Sequence, residues 1–310
     1  MADDQILDSR SAPDPKAGRS GRMSADQSPV GWSGAGSALP RPAGWTEHRL
    51  PLWLRCSMGF VTFMAIGMAA EAAWLAWTGQ PAAGVPLAAG AIYLGHVVGL
   101  STRFWWTPRR SRPGTLTATP DGTTGVRFSY SGWPYYWLTA ILVMTDLVAV
   151  AVTVAAALSA TALGGVLAVV VGVLALWIGW FLVTMLRLAP GSIIVSPTGV
   201  GHHSLTSTHF IPWDAIVAVT AEWIGMPVIA VKAFPSADTR VRRYLGRFGS
   251  GEARFWPFMV IRTGWLASDP TTVYSALSFY QAHPDLRVEL ATPDALDRIS
   301  NGRAVGQEQP

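Results

Sequence analysis

The chain has 310 residues, half of them hydrophobic and only 14% charged, with a formal net charge of +4. A soluble domain averages roughly 25% charged residues. Here the deficit lies in four nearly uncharged stretches, which argues against a wholly soluble protein, and the single cysteine, Cys56, excludes an internal disulfide.

In chain order, residues 1–48 come first, rich in Pro, Gly, Ser and Asp and without apolar periodicity. Such a segment buries too little surface to offset its ordering entropy, so a disordered cytoplasmic tail is predicted. It does not read as a cleavable signal peptide, and the first apolar helix is expected to act as the targeting signal. Gly31-Trp32-Ser33-Gly34 matches the nucleophile pattern of rhomboid-type intramembrane proteases. That chemistry needs a membrane helix around the serine, so the match is discarded.

A bilayer core calls for about 20 consecutive apolar residues. Four stretches meet this: Cys56–Trp77, Ala82–Trp105, Trp137–Leu158 and Ala162–Leu186. Arg41, Arg49 and Arg55 precede the first helix, and Arg103, Arg109, Arg110, Arg112 and Arg127 lie between the second and third. Arg187 follows the fourth, while the connections TGQP and SAT carry no basic residue. Positive-inside bias places both termini and the long middle loop in the cytoplasm, and the protein in the inner, cytoplasmic membrane as a multi-pass chain. Phe104, Trp105 and Trp106, and likewise Trp133, Tyr135, Tyr136 and Trp137, read as aromatic belts at the inner boundary, with Trp74 and Trp77 at the outer.

Three ionisable side chains fall within the spans: Glu71, His96 and Asp146. A charge at mid-bilayer costs roughly 2.5–3.5 kcal/mol on insertion scales, so each calls for a partner or a watery site. Taking Trp105 and Trp137 as the same boundary puts His96 and Asp146 at one height, about 13 Å above it at 1.5 Å per residue. A His96–Asp146 hydrogen bond is therefore expected, either as a polar clasp between helices or as part of a proton or ion relay. Glu71 lies nearer the outer face. In the fourth helix Gly165, Ala168, Gly172, Ala175 and Gly179 recur at alternating spacings of 3 and 4. This seam of small residues lets another helix approach closely, from the same chain or from a second copy in a homo-oligomer.

Between the second and third helices, residues 113–133 alternate polar and apolar around Pro120-Asp121-Gly122, which predicts a cytoplasmic β-hairpin. PGTLTATPDGTTG (113–125) and PGSIIVSPTGVGH (190–202) share a form: Pro-Gly, a strand, then Thr/Ser-Pro-x-Gly. Each follows a pair of membrane helices. An internal duplication and the recurrence of a common turn both explain this echo.

Residues 190–300 read as a small α+β domain, followed by a disordered tail, 301–310. Runs rich in Val, Ile and aromatics predict strands at Ser192–Val195, Val200–Leu205, Thr208–Ile211, Ile216–Trp223, Val228–Ala233 and Phe258–Ile261. A helix is predicted over Pro270–His283 with Asp269 as its N-cap, burying Val273, Leu277 and Tyr280, and a shorter one over Pro293–Ile299.

The stretch SIIVSPTGVGHHSLTSTHFIPWDAIVAV resembles the opening of bacterial PH-like domains: strand, Pro-x-Gly turn, strand, then Pro-Trp-Asp-x-Ile leading into a further strand. The run VYSALSFYQAHPDLRVEL with ATPDALDRI resembles the C-terminal helices of uncharacterised actinobacterial multi-pass membrane proteins that carry such domains. The resemblance covers the last third of the chain. It implies a PH-like sheet closed by a helix, with Trp213 packed on the sheet and Ile216 in the core. Residues 234–257 depart from that pattern.

His202, His203 and His209 cluster, but adjacent strand residues point to opposite faces, so the three cannot converge and no metal is expected. In TRVRRYLGRFGSGEARFWPF, Arg240, Arg242, Arg243, Arg247 and Arg254 interleave with Tyr244, Phe248, Phe255 and Trp256. Anionic lipid headgroups are the nearest partner for such a patch, each charge adding about 1 kcal/mol near the surface, and a protein partner is the alternative. Nucleic acid is not expected. There is no P-loop lysine motif, HExxH, CxxC or dinucleotide fingerprint. The expectation is thus an α-helical membrane protein with four transmembrane helices, a cytoplasmic hairpin and a PH-like cytoplasmic domain. It acts as a non-catalytic interaction or scaffold protein without cofactors. The alternative is a small transporter or channel component using Glu71, His96 and Asp146.

Overall fold

A computed structural model of the chain describes residues 39–46, 52–105, 112–119, 122–245 and 258–304. Its first element is a one-turn helix, α1 (Ala43–Thr46), inside the stretch read as a disordered tail. The anchor is Trp45, whose indole N–H donates to the Val228 carbonyl (3.0 Å) and whose ring tilts against Tyr274 (5.9 Å). One aromatic with a hydrogen-bond partner orders what lacks periodicity. Of the two predicted tails, residues 1–38, 47–48 and 305–310 lie outside the described residues.

The apolar runs then form α2 (Leu52–Trp77) and α3 (Pro81–Trp105). The chain turns between them at Gly79, whose φ of +82° a side chain would disfavour. After a β-hairpin come α4 (Gly132–Leu158) and α5 (Ala162–Leu188). The third membrane helix starts five residues earlier than its apolar run, because Ser131 Oγ accepts from the Trp133 N–H at 3.4 Å. Thr161 caps α5 through the Gly164 N–H at 3.0 Å. All four helices are long and apolar enough to cross a membrane, and most of their large side chains point outward. α2 packs on α3, α3 on α4, and α4 on α5.

The hairpin strands are β1 (Thr115–Ala118) and β2 (Thr124–Ser129). They do not stand apart from the C-terminal region. β2 pairs antiparallel with β3 (Ser192–Ser196), from Val126 opposite Val195 to Ser129 opposite Ser192. β4 (Gly199–His203), β5 (Ser207–Pro212), β6 (Ile216–Trp223), β7 (Pro227–Ala233), β8 (Arg240–Arg243) and β9 (Met259–Arg262) follow. They make a six-stranded sheet, β1-β2-β3-β4-β5-β8, and a three-stranded sheet, β6-β7-β9. The hairpin is thus part of the sheet-rich unit, and that unit spans more than residues 190–300. The reason is on the strands: Val126 and Phe128 are apolar, alternate, and need cover that a lone hairpin lacks. β8 was read only as a basic patch; it pairs with β5 as an edge strand.

The core lies between the sheets and under α6 (Pro270–Ala282). Phe128, Ile193, Val195, Val200 and Ile211 meet Ile229, Val231 and Ile261, and α6 adds Val273, Leu277 and Tyr280. Asp269 accepts from the Thr271 N–H at 2.9 Å, the predicted cap. Trp213 is buried with its indole N–H on the Ser196 carbonyl (2.8 Å), and Ile216 joins the core. A 3-10 segment, Pro284–Ala291, and α7 (Pro293–Ser300) follow. Glu289 ties them together: it accepts from Arg298 Nε (2.6 Å) and Nη2 (3.1 Å) and from the Tyr280 hydroxyl (2.8 Å).

Membrane helices and sheets share this core. Tyr135 and Met185, at the sheet-side ends of α4 and α5, are buried in it. The Tyr135 hydroxyl accepts from the Gly191 N–H at 2.8 Å and its ring meets Trp265 edge-on at 5.2 Å. Read as a belt residue, Tyr135 is instead a joint between helix and sheet, whereas Trp133 and Tyr136 beside it remain exposed.

Candidate functional site

The ionisable residues of the spans do not meet. His96 on α3 uses its two ring nitrogens on the Ile92 carbonyl (2.7 Å) and the Tyr136 hydroxyl (3.4 Å), with Trp137 edge-on at 5.0 Å. Asp146 faces α5 instead, its Oδ2 lying 3.9 Å from where a Cβ on Gly179 would stand. Its Oδ1 is buried without a hydrogen-bond partner among the described residues. The expected His96–Asp146 bond is absent because α3 and α4 are staggered. Trp137 lies against Gly99 and His96, so its level falls about 9 Å before Trp105 at 1.5 Å per residue, and the two tryptophans do not mark one boundary. Glu71 is exposed on α2, six residues before that helix ends at Trp77.

The small residues of α5 face α4 over most of their length. Ala175 is buried, a Cβ on Gly172 would meet Thr153 at 3.3 Å, and Gly179 faces Asp146. Ala168 is half-buried. Gly165 is exposed with open space around it, and the buried position there is Gly164, so the seam drifts by one residue as a straight helix departs from a strict heptad. The partner of this face within the chain is α4.

The histidines separate by strand alternation. His202 and His209 are cross-strand neighbours on the inner face, and His203 points outward. His202 is fully buried and shares a 2.5 Å hydrogen bond with Tyr130. Burial first, then His203 and Arg262, lower its pKa to about 3. Burial, then His202 and Arg243, lower that of His209 to about 4, and its Nε2 has no hydrogen-bond partner among the described residues. Among those residues no cluster of His, Cys, Asp and Glu could hold a metal ion.

The outer face of the six-stranded sheet brings together residues from both halves of the chain. Register aligns Thr115, Arg127, Ile194, Gly201, Phe210 and Arg240 in one row across the strands. A second row on the same face runs Ser129, Ser192, His203, Thr208 and Arg242. None of the six strands contains Asp or Glu. Arg242 lies 5.0 Å over the Tyr244 ring. Arg127 has a buried Nε without a hydrogen-bond partner among the described residues, and it lowers the pKa of His203 together with burial, the larger cause. A cleft of about 250 Å³ opens on this face over β3, β4, β5 and β8. Its lining includes Ile194, Ser196, Gly201, His203, Thr208, Phe210, Arg240 and Arg242.

Of the predicted basic patch, Arg240 and Arg242 lie on this face, and Arg243 alternates to the other. Arg247 and Arg254 fall outside the described residues. Sequence reasoning named Arg127 for its charge and His203 in a histidine cluster, and missed that both join this face. The signal was available: Arg127 occupies a strand position whose parity matches Ser129, and no acidic residue stands in either predicted hairpin strand. What the local pattern could not supply was the pairing of β2 with β3, which puts the two halves side by side.

The chain matches no protein-family model, and no curated protein and no solved structure matches it.

Proposed function

We propose that the protein is a membrane-tethered, non-catalytic interaction module. Four helices hold a PH-like domain at the inner surface of the cytoplasmic membrane, and its basic outer face contacts anionic lipid headgroups. Two antiparallel sheets closed by α6, with Trp213 and Ile216 in the core, support the PH-like reading. The arginine asymmetry around the helices supports the cytoplasmic side. The observation that carries the function is the carboxylate-free sheet that collects Arg127, His203, Arg240 and Arg242 on one face. With three arginines and no acidic residue within its six strands, such a face attracts an anionic surface, each charge contributing about 1 kcal/mol.

The test uses the full chain, because a 190–300 fragment would lack β1 and β2. In nanodiscs of phosphatidylcholine with a fifth phosphatidylglycerol, the amides of β8 exchange more slowly than in pure phosphatidylcholine. The difference disappears at high salt and in the triple variant Arg127→Gln, Arg240→Gln, Arg242→Gln, which removes about 3 kcal/mol of attraction. Equal exchange in the two nanodiscs would overturn the reading.

A second reading, a small transporter or channel component, draws on the buried, unpartnered Oδ1 of Asp146. An intramembrane carboxylate is a functional candidate by its cost alone. Proton or cation flux into liposomes, present in the wild type and abolished by Asp146→Asn, would favour it over the tethered module.

A further inference from the structure

We infer that the cleft over β3, β4, β5 and β8 is a stoichiometric site for one phosphate group, supplied by a lipid of the adjoining leaflet. This rests on the proposed lipid contact and deepens it from a diffuse attraction to a defined pocket. Three observations carry it. First, the cleft has a floor and walls. Gly201 lacks a side chain in the middle of the sheet, and a Cβ there would make only ordinary contact, 3.8 Å from the nearest atom, the Ile194 carbonyl oxygen. Its cross-strand neighbours Ile194 and Phe210 rise on either side. At about 250 Å³ it falls below the roughly 300–1,000 Å³ of pockets that enclose drug-sized ligands, which suits one small headgroup.

Second, its polar lining consists of donors suited to a phosphate. Arg240 and Arg242 project from alternate positions of β8 onto the cleft, and His203 and the Thr208 hydroxyl stand beside them. Guanidinium groups bind phosphate oxygens through paired N–H donors. Among the described residues no carboxylate lines the cleft.

Third, register fixes its height. The row Ser192, His203, Thr208, Arg242 starts four residues after α5 ends at Leu188. On the neighbouring strand, Ser129 in the same row lies three residues before α4 begins at Gly132. At about 3.3 Å per residue, Ser192 and Ser129 stand within about 13 Å of the helix ends, and His203, Thr208 and Arg242 continue the row across the sheet at about 4.8 Å per strand. A headgroup phosphate beside α5 reaches the cleft without leaving its leaflet, whereas a soluble ligand would gain nothing from this placement.

The test reads bound lipid directly. The full chain is released from nanodiscs of phosphatidylcholine with a fifth phosphatidylglycerol into neutral detergent, and retained lipids are counted by native mass spectrometry. Calorimetric titrations with inorganic phosphate and with glycerol 3-phosphate run in parallel. The wild type is expected to retain one phosphatidylglycerol per chain. Gly201→Leu, which fills the cleft without changing charge, and Arg242→Gln, on an exposed edge strand, each lower its occupancy at least tenfold. Retention by Gly201→Leu equal to wild type would overturn the pocket, while the slow exchange of β8 in anionic nanodiscs could still stand. Saturable phosphate binding lost in both variants, without retained lipid, would keep the phosphate chemistry and overturn the lipid source. Neither retained lipid nor phosphate binding would overturn the whole inference. Loss of the β8 protection alone would sink the diffuse contact and leave the pocket to these counts.

Discussion

Gly191→Ala is expected to destabilise the protein by about 3 kcal/mol, the upper end of the range for overpacking a filled site. The added methyl would strike the His203 carbonyl and approach the Tyr130 ring at 2.7 Å and the Tyr135 hydroxyl at 2.8 Å. None of these is the loose end of a flexible chain. Tyr130 and Tyr135 are buried, and both are tied to Gly191 itself: its N–H donates to the Tyr135 hydroxyl and its carbonyl accepts from the Tyr130 N–H, each at 2.8 Å. Relief by movement therefore separates α4 from β3 at the joint between membrane helices and sheet. For a unit of this size the loss corresponds to roughly 10 °C in unfolding temperature. Gly201→Ala is the control, because its methyl would make only ordinary contacts, at 3.8 Å and beyond. It should change stability by no more than about 0.5 kcal/mol. Thermal unfolding of both variants in one detergent decides the matter. Equal behaviour would refute the packing described for the joint.

Acid is expected to unfold the sheet unit over a window set mainly by His202 and His209, with His203, also lowered by burial, adding to it. A histidine in an unfolded chain titrates near 6.5. Burial lowers the folded values to about 3 for His202 and about 4 for His209. Below pH 6.5 the unfolded chain takes up protons that the folded one refuses. The stability owed to the neutral forms is thus complete above pH 6.5. It is lost as the pH falls toward 4 for His209 and toward 3 for His202, by about 1.4 kcal/mol per pH unit for each histidine. Glu222 and Glu289, whose carboxyls are held below their ordinary range, add to the loss only below about pH 4.5. The unfolding temperature should therefore be nearly flat from pH 8 to 7 and fall steeply between pH 6 and 4.5. His209→Leu should make that slope clearly shallower, leaving the contributions of His202 and His203, since the buried Nε2 it removes has no hydrogen-bond partner among the described residues. An unchanged slope in this variant would show that the residue titrates normally in the fold.

Much of the architecture is legible in the residues because local patterns decide it. Uncharged runs of bilayer length mark α2 to α5 within a few residues. Asp269, followed by apolar residues at helical spacing, marks α6. Alternating apolar positions mark most strands, and the turn at 120–122 marks the hairpin. What local pattern does not contain is pairing between distant strands. Val126 opposite Val195 joins residues on either side of two membrane helices, and only that register brings Arg127 level with Ile194 and Arg240. Helix stagger is hidden for the same reason. Tryptophans near a membrane boundary mark it loosely, so counting from Trp105 and Trp137 mispaired His96 with Asp146, whereas the contact of Trp137 with Gly99 sets the true offset. Tyr135 shows the limit of composition: among neighbouring aromatics of one belt, only the helical face turned toward Gly191 and Trp265 becomes core.

The merger of the hairpin with the later strands bears on biosynthesis. The ribosome releases β1 and β2 before α4 and α5, and β3 only after both. A two-stranded hairpin alone is marginally stable in water. Until the next helix pair has been threaded into the bilayer, the apolar side of the nascent hairpin, Val126 and Phe128, waits uncovered. Insertion of that pair then delivers β3 beside β2. The sheet therefore closes over the hairpin late, only after both helices that separate β2 from β3 have been made.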